Sequence, residues 1–168
     1  MVGDRQSGKT AACLRIAELG RARGLTVAGI AAPAVYAAGT LEGYDALDLA
    51  RGRRAPLART VGPGVESVGG FFFLAEGLRL GREVLAHAAT LPDALVIVDE
   101  VGPLELAGGG WAGHLEPLAR RHAVSVFTVR RGLLRQLAER WQVPPAAVHD
   151  VACGVDTVAG AVLAALRT

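Results

Sequence analysis

Lysine is almost missing from this chain. Of its 18 basic residues only Lys9 is a lysine, and the others are arginine. Whatever favours arginine elsewhere did not act at position 9, where a compact ammonium on a flexible stem serves and a planar guanidinium does not. Aromatic residues make up 5% of the sequence, so a core has to be built from Ala, Val, Leu and Ile. Two cysteines, Cys13 and Cys153, make no disulfide framework and fall in no metal-ligand spacing. His87, His114, His122 and His149 show no ligand spacing either. Charge of one sign is not in excess: the net value of +2 lacks the electrostatic footprint of a nucleic-acid binder, and no aromatic stripe offers bases a stacking platform. No basic stretch followed by an apolar run opens the chain, so no export signal is expected. The 18 uncharged residues 24–41 have the length of a membrane span, but they include Pro33 and three glycines and read better as strand, turn and strand. The expectation is a cytoplasmic protein with neither membrane nor nucleic acid as a partner and with no partner protein specified.

What is present is a large apolar share, 51% of 168 residues, enough for one domain covering residues 1–168. Residues 9–23 carry apolar side chains at helical spacing (Ala12, Leu14, Ile16, Ala17, Leu19) and stop at Gly24. Residues 26–31 read as a buried strand, and 44–49 with 55–60 as the two arms of a hairpin around Arg51, Arg53 and Arg54. After the Gly62-Pro63-Gly64 breaker, residues 67–73 lead into a helix over 74–89. Residues 94–99 form the strongest strand pattern, a continuous apolar run ending on Asp99, as a parallel strand buried on both faces should. Helices near 113–121, 132–140 and 157–166 and strands at 123–128 and 148–152 complete the pattern. Alternation of strands and helices predicts an α/β three-layer sandwich with a mostly parallel sheet and an antiparallel hairpin insertion. The Arg51–Arg59 and Arg120–Arg131 clusters read as solvated faces.

Gly3-Asp4-Arg5-Gln6-Ser7-Gly8-Lys9-Thr10 matches G-x-x-x-x-G-K-[ST] in full. In such a loop, successive backbone N–H groups point at phosphates and the following helix adds its positive end. Lys9 is then the residue that reaches the β- and γ-phosphates, and the Thr10 hydroxyl is a ligand for Mg²⁺. The motif requires a preceding strand, yet only Met1 and Val2 stand before Gly3. The first, pre-loop strand is therefore expected to be missing, with unpaired edges and weakened nucleotide affinity as the consequence.

Asp99 ends the apolar strand and Glu100 follows it. An acid at that strand tip orders the Mg²⁺ shell, and its neighbour polarises an attacking water as a general base. Asp99-Glu100-Val101-Gly102-Pro103-Leu104-Glu105-Leu106 resembles the segment that marks a family of small P-loop nucleoside-triphosphatases, the one that includes cancer-related nucleoside-triphosphatase. The hairpin residues 43–49 and 55–58 and the segment Thr128-Val129-Arg130 extend the resemblance from Gly3 to about residue 140, in a divergent bacterial branch. It implies a RecA-like sheet and slow Mg²⁺-dependent hydrolysis of ATP, GTP and other triphosphates. Broad base tolerance agrees with the lack of an Asn-Lys-x-Asp-like guanine-reading motif.

Carried over, Gly3, Asp4, Arg5, Gln6, Ser7, Gly8, Lys9 and Thr10 cradle the phosphates, Thr10 and Asp99 hold the metal, and Glu100 with Lys9 does the chemistry. Thr128 is either a polar group that senses the γ-phosphate or an ordinary strand-end threonine. Arg130, where the family tends to have histidine, is either a cis arginine finger or a surface residue. Glu105 is either part of the site or a helix-start acid. Two other readings stand beside hydrolysis: a nucleotide-binding switch with negligible turnover, and a small-molecule kinase whose acceptor would sit near Arg51, Arg53 and Arg54.

Overall fold

The computed structural model describes residues 1–121 and 124–166. Its centre is β8 (Leu95–Val101), whose alternation sends Leu95 and Ile97 to one face and Val96 and Val98 to the other, all of them buried. On one face it meets α1 (Lys9–Ala22) and α6 (Val155–Ala165) through Cys13, Ile16, Val158 and Leu163. On the other it meets α2 (Ala75–Ala88), α4 (Ala112–Arg121) and α5 (Leu134–Trp141) through Leu78, Leu85, Leu115 and Trp141. Helices on both faces of one sheet give the three layers read from the sequence. A four-residue helix, α3 (Pro103–Leu106), follows β8.

The site lies at the carboxyl ends of the parallel strands. β2 (Val27–Ala31), β8 and β9 (Ser125–Arg130) run parallel, with Val27 opposite Leu95 and Val98 opposite Phe127. The antiparallel part is longer than one hairpin. β4 (Thr40–Asp48) pairs with β2, β3 (Ala34–Ala37) and β5 (Arg54–Arg59), and β7 (Phe71–Phe73) joins β5 to β6 (Glu66–Val68). The first strand, expected to be missing, exists as a two-residue β1 (Val2–Gly3). Val2 pairs in parallel with Val129 on one side and bridges Asp150 on the other. The Met1 ammonium donates to the Phe127 carbonyl at 2.7 Å. Two residues suffice because neighbours on both sides use their backbone groups, so the unpaired edges feared from the sequence do not arise. The expected strand at 148–152 reduces to that bridge followed by a 3₁₀ turn, Val151–Cys153, which Asp150 caps by accepting from the Ala152 N–H. The strand expected to start at Ala123 begins at Ser125; Ala123 and His122 lie outside the described residues.

The candidate nucleotide site

The loop between β1 and α1 is built as its motif demands. Gly8, the N-cap of α1, has φ 94°, and Gln6 has φ 57°, so the chain turns through left-handed conformations. Gly3 admits no side chain, because a Cβ there would run into Ser7 and Val151. The Ser7 hydroxyl donates to the Asp4 carbonyl at 2.9 Å and pins the loop. Lys9 is 3% exposed and reaches back over the loop, donating to the carbonyls of Gly3 and Asp4. Its ammonium lies 3.8 Å from Glu100 Oε1. Thr10, half-buried, occupies the first turn of α1.

Asp99 is fully buried at the tip of β8. Its Oδ1 accepts from the Thr128 hydroxyl at 2.5 Å and from the Glu100 N–H at 3.1 Å, and its Oδ2 accepts from the Ala32 N–H at 3.2 Å. Immediately after it the register between β8 and β9 shifts, and Glu100 adopts φ 61°. Such a bulge re-aims a side chain at a local conformational cost. The cost is met by two hydrogen bonds on the Glu100 N–H, one to Asp99 and one to Thr128 Oγ1 at 2.8 Å. Thr128 is fully buried and its hydroxyl is engaged as donor and acceptor, so its observed place is beneath the acid pair.

Burial and the neighbouring Asp99 push the Glu100 carboxyl up, while Lys9, Arg130 and Arg5 pull it part of the way back. The Cys13 thiol, buried beneath the pair, is also pushed up, first by burial and then by Asp99. Burial raises Glu105 to about 7 against the pull of its backbone hydrogen bonds, one of them from the Gly102 N–H at 3.0 Å. Glu105 thus starts α3 in a capping arrangement.

Of the residues predicted for the site, the structure brings together Gly3, Asp4, Ser7, Gly8, Lys9, Asp99, Glu100 and Thr128, with Thr10 one residue along α1 from Lys9. Asp4 and Gln6 are exposed at the loop's outer edge, while Arg5 turns away and stands over the Phe71 ring, 5.6 Å from its centre. Arg51, Arg53 and Arg54 do not join them. Arg53 pairs with Asp48 at 3.1 Å and Glu83 at 3.2 Å, Arg54 with Asp45 at 2.8 Å, and Arg51 meets His87. The cleft that does adjoin Glu100 was missed from the sequence; Tyr44, Phe71, Phe73 and Trp111 line it, with Arg130 beside Glu100. The available signal was the Phe71-Phe72-Phe73 run in a chain so poor in aromatics.

Among the described residues no group of three or more His, Cys, Asp or Glu could hold a metal by itself. Oxygen donors that could take part in holding a metal are the Thr10 hydroxyl and the Asp99 carboxylate, the latter already accepting three hydrogen bonds.

A family model described as NTPase matches residues 1–151. The nucleoside-triphosphatase THEP1 of Archaeoglobus fulgidus is 35% identical over 133 residues, covering 79% of this chain and 76% of that protein. The THEP1 of Methanopyrus kandleri is 34% identical over 122 residues, covering 73% and 67%. Among solved structures, THEP1 from Aquifex aeolicus superimposes with a TM-score of 0.69 at 17% identity, over 88% of this chain and 84% of that one. A human cancer-related nucleoside triphosphatase gives 0.60 at 21% identity, over 83% and 82%. These two likenesses concern the fold.

Proposed function

The chain belongs to the NTPase family, and from that premise we propose that it hydrolyses nucleoside triphosphates to diphosphates at the loop of residues 3–10, with Glu100 as the general base. The observation that carries this reading is the meeting of three elements: the Lys9 ammonium from the loop, 3.8 Å from the Glu100 carboxylate, which rests on the Asp99–Thr128 pair. Lys9 leaves its two carbonyl partners for the β- and γ-phosphate oxygens, and the Gly8 and Lys9 N–H groups at the start of α1 face the same charge. Glu100 accepts a proton from water as the water oxygen bonds to the γ-phosphorus and the bond from that phosphorus to the bridging oxygen breaks, releasing the diphosphate. Its raised affinity for a proton makes it a better base than an ordinary exposed glutamate. Asp99 and Thr128 hold Glu100 at its left-handed backbone angle and so fix where the carboxylate points.

Mg²⁺, held by Thr10 and through water by Asp99, would neutralise charge on the phosphate oxygens when bound with the nucleotide. No Asn-Lys-x-Asp-like segment occurs in the sequence, which favours tolerance of several bases. Among the described residues no helix is long and apolar enough to cross a membrane, and the charge is balanced, which favours a cytoplasmic enzyme without nucleic-acid partners.

The test is calorimetry with Mg²⁺-ATP and Mg²⁺-GTP on the parent, Lys9→Ala and Glu100→Gln, with phosphate release followed in parallel. The expected result is binding lost in Lys9→Ala, and binding kept but release reduced at least a hundredfold in Glu100→Gln. Release from Glu100→Gln at the parental rate would remove Glu100 from the chemistry. Binding without release in the parent would favour the switch reading.

A further inference from the structure

Past Glu100, on the side away from β1, the sheet continues through β2, β4, β5 and β7. The cleft noted above opens over these strands and is closed by the segment after β8. The whole chain has two tryptophans, two tyrosines and four phenylalanines. Half of these rings (Tyr44, Phe71, Phe73 and Trp111) line this one cleft. They are held in place: Tyr44 and Phe71 pack at 5.4 Å with tilted planes, and the Trp111 indole N–H donates to the Leu78 carbonyl at 3.1 Å. Gly81 on α2 leaves no room for a Cβ against the Trp111 ring, which fixes that ring further.

The end nearest the acid pair is cationic. Arg130 and Arg5 line it beside Glu100, whose carboxylate already faces Lys9. The Arg130 Nε is buried and has no hydrogen-bond partner. A buried guanidinium N–H without an acceptor is unfavourable, and native proteins rarely retain one unless a ligand or water completes it. Glu105, the second acid of the wall, is turned onto the Gly102 N–H. Aromatic walls with one unsatisfied cationic donor match an aromatic ring that carries a single anionic group.

We propose that this cleft is a second ligand site, for a small planar aromatic anion (carboxylate, sulfonate or phosphate), distinct from the nucleotide's own. The ring lies among Tyr44, Phe71 and Trp111, and the anionic group accepts from Arg130 Nε with Arg5 at the mouth. Because the cleft opens on Glu100, an occupant excludes water from that side of the carboxylate and slows hydrolysis. This consequence rests on Glu100 acting as the base; the binding does not.

The probe is 1-anilinonaphthalene-8-sulfonate, an aromatic system with one sulfonate, titrated into the full chain carrying Trp141→Phe so that Trp111 is the only indole. The expected result is saturable one-to-one binding that quenches Trp111 emission by energy transfer, unchanged by saturating Mg²⁺-ADP. Arg130→Gln should weaken it at least tenfold, and so should Phe71→Ala, at a half-buried position on the β6–β7 hairpin. Phosphate release should fall in step with probe occupancy. Binding that leaves Trp111 emission unchanged, or that ignores both substitutions, would overturn the proposal. Displacement of the probe one-for-one by Mg²⁺-ADP would overturn it too, by making the cleft part of the nucleotide site. The expected probe binding in a protein that releases no phosphate would sink the hydrolysis reading and leave the second site standing.

Discussion

Thr128 illustrates how a single hydroxyl can hold two acids in place. It donates to Asp99 Oδ1 and accepts from the Glu100 N–H, all out of water. Thr128→Val keeps the shape and removes both bonds. A hydrogen bond to a charged group contributes about 1.5–3 kcal/mol, so urea denaturation should show a loss of that order. The kinetic effect should fall on kcat, with KM nearly unchanged, because Lys9 and the loop remain; Thr128→Ser should recover most of both. A large rise in KM would instead mean that Thr128 contacts the nucleotide directly. Glu105 gives a prediction in pH. Its native pKa of about 7 lies above the ordinary carboxyl value of 4.5, because burial outweighs its backbone partners. The folded state therefore binds this proton more tightly than the unfolded chain does. The contribution to stability is full below about pH 4.5 and is lost as pH rises to about 7, a difference on the order of 3 kcal/mol. Stability measured across that window should fall with rising pH in the parent, and Glu105→Gln should flatten the slope. A parental slope unchanged in Glu105→Gln would assign the titration to another group. The sequence carried the identities of Lys9, Asp99 and Glu100 in local motifs. It did not carry the jobs of Thr128 or Ala32, because each acts through a partner dozens of residues away.

At the scale of elements, α2 shows why a glycine inside a helix can be favourable. Gly77 and Gly81 lie one turn apart on its inner face, both buried. A Cβ on Gly77 would run into the Pro56 carbonyl oxygen and the Leu57 Cα of β5, and one on Gly81 into the Trp111 ring. The helix thus packs backbone against strand. Gly77→Ala gains about 1 kcal/mol of helix propensity but must push a strand backbone aside, at about 1–3 kcal/mol for overpacking. Net destabilisation is expected in urea titration. Gly160→Ala, on α6 with nothing within 4 Å of the new methyl, should stabilise by about 0.5–1 kcal/mol. If both variants gained stability, the close approach of α2 to β5 would be wrong. Periodicity located α1, α2 and β8 because each buries a face whose period is visible in one short window. It misjudged β1 and the 148–152 segment, because a two-residue strand has no period and exists only through Val129 and Asp150.

For the whole molecule, the consequence of this architecture is that three separate pieces of chain meet at the candidate site. The loop hangs from β1, the acids from β8 and Thr128 from β9, and α1 packs against α6. The strand order that makes this meeting possible joins Val2 to Val129 and Val27 to Leu95, pairings no local pattern announces. A ligand that spans these pieces binds the folded state and has no comparable site in the unfolded chain, so it must stabilise the fold by mass action. At a hundredfold excess over its Kd the gain is about 2.7 kcal/mol. For a chain of 168 residues, that corresponds to a rise in Tm of roughly 5–10 °C. The rise should appear with Mg²⁺-ADP and shrink when EDTA removes the metal, as the proposed coordination by Thr10 and Asp99 requires. EDTA alone should leave the Tm of the free protein unchanged, because in the proposed mechanism the metal enters with the nucleotide. Lys9→Ala should abolish the nucleotide-induced rise while keeping the fold. A Tm that fell with EDTA in the absence of nucleotide would show a resident metal and would require donors other than Thr10 and Asp99.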